Sequence, residues 1–116
     1  MPEDADIYSN RYSLTNFINA YYQIRDCMSY QPNNVLLIGV GVGIESMLLK
    51  NKFNVILSTL DIDPGFTPDF VGSVHDLSQF KNNQFDVIIA SHVLEHLAVP
   101  YLDRCLSELA RVVNIV

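Results

Sequence analysis

Short, nearly continuous apolar runs constrain this chain most. They lie at residues 35–38 (Val-Leu-Leu-Ile) and 85–90 (Phe-Asp-Val-Ile-Ile-Ala), with a β-rich run at 54–60 and helix-like stretches between them. A strand apolar at almost every position is buried on both faces, which is the habit of parallel sheets covered by helices on either side. Ahead of the first run, Leu14, Phe17, Ile18, Tyr21, Ile24 and Met28 form a helical stripe, with Ser13 at the N-cap position. Gln31-Pro32-Asn33-Asn34 ends that helix as a loop. Residues 44–50 are helical in composition, 70–74 read as a weaker strand, and 81–84 read as a loop. The last helix is expected over 100–111, with Pro100 in a tolerated first-turn position and Leu102, Leu106, Leu109 and Val113 on its apolar stripe. Glu108 and Arg111 would pair at i, i+3 on its exposed side. Alternating strands and helices imply βαβ units with right-handed crossovers. The expected fold is therefore α/β, a doubly wound parallel sheet of about four to five strands.

At 116 residues the chain has room for one ordinary domain, placed at 13–116 after a polar, loose segment at 1–12. The net charge of −6 argues against non-specific binding to nucleic-acid phosphates or anionic membrane surfaces. Cys27 and Cys105 show no Cys-x-x-Cys spacing, so a reducing cytoplasm is the simpler setting. The N-terminus lacks a charged-then-apolar signal pattern, and the longest near-apolar run, 35–44, is about half of a bilayer span.

In sheets of this kind ligands bind beyond the carboxyl ends of the strands, so the residues after Ile38, Leu60, Val74 and Ala90 are the ones to inspect. Gly39-Val40-Gly41-Val42-Gly43 lies between the first strand and a helix, where glycines allow a close backbone approach and helix N–H groups are free. The loop is not a dinucleotide G-x-G-x-x-G, because Ile44 stands where the third glycine belongs, and no Gly-Lys-Ser/Thr follows. Structural tightness alone would also explain it. Asp61 falls about twenty residues on, at the end of the second strand, where nucleotide-binding domains place a carboxylate for ribose hydroxyls. Alone, Asp61 and Asp63 could simply start a turn before Pro64-Gly65. Strand, glycine loop, helix, strand and acidic end in one register are much harder to obtain by chance.

Three segments together resemble class I S-adenosylmethionine-dependent methyltransferases: Val35-Leu36-Leu37-Ile38-Gly39-Val40-Gly41-Val42-Gly43, Leu60-Asp61-Ile62-Asp63-Pro64, and Phe85-Asp86-Val87-Ile88-Ile89-Ala90-Ser91-His92-Val93-Leu94-Glu95-His96-Leu97. Leu106-Ser107-Glu108-Leu109-Ala110-Arg111-Val112 is similar to the helix before that family's fifth strand. The resemblance implies a Rossmann-like sheet that binds S-adenosyl-L-methionine and transfers its methyl group to an acceptor. By the same resemblance Gly39, Gly41 and Gly43 would pass under the methionine part, and Asp61 would hold the ribose hydroxyls. Ser73 and Val74, with Asp76 nearby, would meet adenine, and Ser91 and His92 would flank the transferable methyl, His92 being the one candidate for a catalytic role. Two positions depart from the family's pattern. Leu37 stands where it usually has Asp or Glu, and Gly72-Ser73 where it commonly has Gly-Asp.

His92-Val93-Leu94-Glu95-His96 also fits H-x-x-E-H, an inverted zinc-peptidase pattern. A zinc site needs a third protein ligand well downstream and a mid-helix pair, and the strand ends just before Ser91. No metal is expected. His96 reads as a helix residue and His75 as a loop histidine. The tyrosines at 8, 12, 21, 22 and 30 read as packing of the first helix, or else as a lid or acceptor lining. Against the resembled fold the chain would cover strands one to four, with 114–116 starting a fifth, and would appear truncated after the preceding helix. That leaves the strand at 85–90 near an edge, which invites either homodimer pairing or poor solution behaviour. The rival reading is a catalytically silent binding or oligomerisation module; a nicotinamide-binding domain is disfavoured by Ile44.

Overall fold

The computed structural model describes residues 14–40, 43–53, 55–90 and 99–113. In chain order these form α1 (Leu14–Met28), β1 (Asn34–Ile38), α2 (Ile44–Lys52), β2 (Ile56–Asp61), a 3-10 turn (Pro64–Phe66), β3 (Phe70–Val71), β4 (Val87–Ala90) and α3 (Val99–Val112). The strands make one sheet in the order β3-β2-β1-β4, and every pairing in it is parallel. Strand succession runs outward from β1 through β2 to β3, then jumps back across β1 to β4. That reversal beside β1 is the point at which open α/β sheets form a ligand crevice.

Side chains in a strand alternate between faces, and β1 shows what this does to the apolar run 35–38. Val35 and Leu37 pack with Ile24 and Cys27 of α1, Leu49 of α2 and Ile89 of β4. Leu36 and Ile38 pack on the other face with Leu77, Phe80, Phe85 and, from α3, Cys105 and Val112. Phe80 sits edge-on between Phe70 and Phe85, with ring centroids 5.0 and 5.3 Å away. The sheet is thus covered on both sides, as the continuous apolar runs require.

The helix stripes agree with those expected at Ile24, Met28 and Leu109, which meet the core, and differ elsewhere. Among the described side chains of α1 the buried ones are Ala20, Ile24 and Cys27, whereas Leu14, Ile18 and Tyr21 are exposed. In α3 the buried positions are Cys105 and Val112 with Leu109 packed beside them, and Leu106 is exposed. Both stripes keep the i, i+4, i+7 spacing but are rotated from the one drawn through the largest apolar residues. Tyr21, Tyr22 and Tyr30 are exposed rather than packed under α1. Arg25 covers the Tyr22 ring at 4.7 Å from its centroid.

Strand limits shifted too. The third strand is only two residues long, because the chain turns after Gly72 and drives Val74 into the core. Phe85 makes a single parallel bridge to Val113, and the ladder of β4 proper begins at Val87. Asp86 secures this end of the sheet: its Oδ2 accepts the N–H groups of Asn33 at 2.8 Å and Asn34 at 3.0 Å. Glu108 and Arg111 are not a surface pair. Glu108 Oε2 accepts the Leu77 N–H, while Arg111 donates to the carbonyls of Leu77 and Phe80 and to Asn82 Oδ1. Together they clamp the loop between β3 and β4 onto α3.

Candidate functional site

The carboxyl ends of β1, β2 and β3 converge on one rim. At the end of β1, Gly39 turns the chain with φ at 83°, a left-handed value that an L side chain rarely adopts, and its N–H donates to the Leu60 carbonyl at 2.8 Å. The loop closes where the Gly43 N–H donates to the Val40 carbonyl at 3.1 Å. Gly43 also has positive φ, 86°, and caps α2 without a side-chain hydrogen bond. The first-turn N–H groups of a helix lack intrahelical partners, so a loop with no capping side chain leaves them available.

Asp61, the last residue of β2, is buried. Its Oδ2 accepts the Val40 N–H at 2.8 Å and its Oδ1 accepts the Asp63 N–H at 2.9 Å. The carboxylate therefore holds the glycine loop and the following turn in a fixed relation. Each oxygen retains acceptor capacity, since a carboxylate offers about four lone-pair sites. Beyond it, the Asp63 side chain accepts the Gly65 N–H at 2.8 Å and starts the 3-10 turn. The turn reading and the ligand-facing reading of these two aspartates are thus compatible.

After β3, the Gly72 N–H donates to the Asp61 carbonyl at 3.0 Å and brings Ser73 to the same rim. Ser73 Oγ and His75 Nδ1 are 2.7 Å apart. Val74 is placed differently: its side chain is buried among Leu36, Ile38 and Leu60, so any ligand contact there falls to its main chain. Leu37 is completely buried on the opposite face of β1, with Ile24, Cys27 and Leu49, and has no part in the rim. Gly41, Ser91, His92 and His96 lie outside the described residues.

One rim residue escaped sequence reasoning. Ile62 is exposed immediately after Asp61, offering an apolar surface beside a carboxylate. An apolar residue directly past a strand-end acid is the signal that marks it. No Lys or Arg occurs between Lys52 and Lys81, the stretch that carries β2, β3 and the turns after them. Asp61, Asp63, Asp69 and Asp76 all fall in that interval. These four side chains are hydrogen-bond acceptors that carry negative charge when ionised. Among the described residues no cluster of His, Cys, Asp and Glu could hold a metal ion, and no helix is long and apolar enough to cross a membrane.

The comparisons with known proteins bear on this geometry. No curated protein gives a significant match. A solved structure from Methanococcus maripaludis, provisionally identified as an S-adenosyl-L-methionine-dependent methyltransferase, superposes with a TM-score of 0.71 at 18% identity. The alignment covers 96% of this chain and 57% of that protein, so the chain spans little more than half of its relative's length. At that identity the likeness concerns the fold. A family model described as a methyltransferase domain matches residues 36–115, which takes in the glycine loop, the acidic end of β2, β4 and α3. The chain, a four-stranded parallel α/β sheet of Rossmann-like type, therefore belongs to the methyltransferase-domain family.

Proposed function

We propose that residues 13–116 form one unit that binds S-adenosyl-L-methionine along the rim of β1, β2 and β3 and directs its methyl group to an acceptor. The observation that carries this reading is the buried Asp61 carboxylate tied to Val40 of the glycine loop. It puts an acceptor suited to vicinal hydroxyls against a backbone turn open to close approach. Asp61 would accept the ribose hydroxyls, with Ile62 against an apolar face of the nucleoside. Gly39, Gly41 and Gly43 would let the amino-acid end approach the main chain, and Ser73 with the Val74 main chain would meet adenine. Ser91 and His92 would follow β4 beside the methyl.

When bound, the cofactor would supply a methyl activated by its attachment to a sulfonium sulfur, open to displacement by an acceptor's lone pair. This chain's residues contribute position and orientation, the larger part of what such a displacement needs. The acidic, lysine-free stretch between Lys52 and Lys81 favours a sulfonium cation over a phosphate-bearing nucleotide.

Thermal shift tests the reading. S-adenosylmethionine or S-adenosylhomocysteine should raise Tm and NAD should not, since a ligand bound only to the native state stabilises it. No shift with either adenosyl ligand at saturating concentration overturns it. A second reading, a catalytically silent module, is favoured by one observation: Leu37 gives the loop-bearing strand a core side chain in place of an acid. Binding without turnover of any acceptor would select it. Pairing of two copies through β4 belongs to the same proposal, because β4 has β1 on one side and, among the described residues, only the Phe85–Val113 bridge on the other. A stable monomer in light scattering contradicts that pairing. Two free, buried cysteines support a cytoplasmic setting.

A further inference from the structure

Ser73 and His75 form a pair that the function proposed above does not yet use. Their Oγ and Nδ1 atoms are 2.7 Å apart. The His75 ring also lies against Tyr101 of α3, with centroids 5.2 Å apart and planes inclined at 36°. The imidazole is therefore held between the loop after β3 and the first turns of α3. A serine hydroxyl has one hydrogen and two lone pairs, so what it shows a ligand depends on what its neighbour takes. An unprotonated Nδ1 takes the hydrogen and leaves lone pairs only. A protonated Nδ1 donates instead, and the hydroxyl hydrogen is free to turn outward.

We propose that His75 sets the hydrogen-bond polarity of Ser73: neutral, with its proton on Nε2, it claims the Ser73 hydroxyl hydrogen and makes Ser73 an acceptor for the exocyclic amine of a 6-aminopurine. This rests on the reading above in which Ser73 meets adenine. An unassisted serine rotates to donate or accept and hardly separates an amine from a carbonyl. With its hydrogen engaged by His75, the same serine selects the amine, so His75 is a positioning residue for base specificity. Protonation of His75 reverses the selection.

The neighbours of His75 leave this switch to the imidazole. Asp76 follows it in the chain and is held below the usual carboxylate range, first by its hydrogen bond from the Ser78 side chain and then by the Ser78 N–H. Arg104 of α3 acts on Asp76 from a distance, and Tyr101 supplies a phenol ring. Of the groups placed around Ser73, His75 is the one whose protonation changes what Nδ1 offers the hydroxyl.

The test measures binding of S-adenosylhomocysteine and its 6-oxo counterpart, S-inosylhomocysteine, to the full chain by calorimetry at about pH 7.5 and about pH 5.5. The amino ligand should bind about tenfold tighter at the higher pH, as expected for one matched hydrogen bond, and the preference should shrink at least about threefold at the lower pH. In Ser73→Ala and His75→Ala the ratio should not change with pH. Binding of both ligands with a pH-independent ratio in the wild-type chain overturns the role of His75 alone, and so does unchanged narrowing in His75→Ala. If His75→Ala fails to fold, the wild-type ratio and Ser73→Ala still decide. Absence of binding by either ligand at both pH values overturns the methyltransferase reading and this inference with it.

Discussion

The Asp61 carboxylate reaches from the end of β2 to accept the Val40 N–H at 2.8 Å, so the glycine loop after β1 is fixed by a residue of the neighbouring strand. A side chain proposed to hold a ligand is therefore also a latch within the fold. Asp61→Ala leaves the Val40 and Asp63 N–H groups without this acceptor and should cost about 1–3 kcal/mol. Asp61→Asn keeps one acceptor oxygen and should cost less. Both should weaken S-adenosylhomocysteine binding, and melting curves beside the titrations separate the two roles. An Asp61→Ala chain with wild-type Tm contradicts the latch.

Leu37 admits no charge. It is completely buried among Ile24, Cys27, Leu49 and Ile89, with no polar partner in that cluster. Leu37→Ala should destabilise by about 2–5 kcal/mol. Leu37→Glu should be worse, because an unpaired carboxylate would be stranded in apolar surroundings. Urea unfolding of the two variants provides the ranking, and a Leu37→Glu chain as stable as Leu37→Ala would disprove this placement.

Arg111 holds the Glu108 carboxyl below the usual glutamate range, helped by the Leu77 N–H. A depressed native pKa means that the folded state favours the ionised form. The stability it contributes is present above the ordinary glutamate range, about pH 4.3, and disappears as pH falls through the lowered native value. Glu108→Gln should melt lower than the wild type at neutral pH, by roughly 5 °C. The gap should close on acidification, and a constant gap would show that the charge plays no part.

Burial raises the thiol pKa of Cys27 and of Cys105. The thiolate is the reactive form, so neither should react with a thiol reagent near pH 8 while the chain is folded. Both should react in denaturant. Rapid labelling of the native chain would place at least one of them at the surface.

Much of the fold was legible in residue types. The strands of the double-faced sheet announced themselves because β1 is apolar at every position after Asn34, and parallel strands buried on both faces need such a run. The helix faces were harder to read. Ala20 and Cys105, not Leu14 and Leu106, meet the sheet, because close packing rewards small residues at the contact while large ones are left on the outer face. At the candidate site, Gly39 and Asp61 were legible from their spacing. The Ser73–His75 pair was not, since two side chains in one loop reveal a shared hydrogen bond only when the backbone path is known. Glu108 and Arg111 showed the right pairing at helical spacing, but spacing alone does not tell a surface pair from a loop clamp.

Because β1 supplies Val35 and Leu37 to one apolar cluster and Leu36 and Ile38 to the other, neither face can loosen without disturbing the strand that the other face uses. Local opening ought then to be graded outward from this strand. Backbone amides of β1 should be the last to exchange with deuterated water, close to the limit set by whole-molecule unfolding, while those of the two-residue β3 exchange early. The rim would then combine a stiff inner wall with an outer wall that breathes.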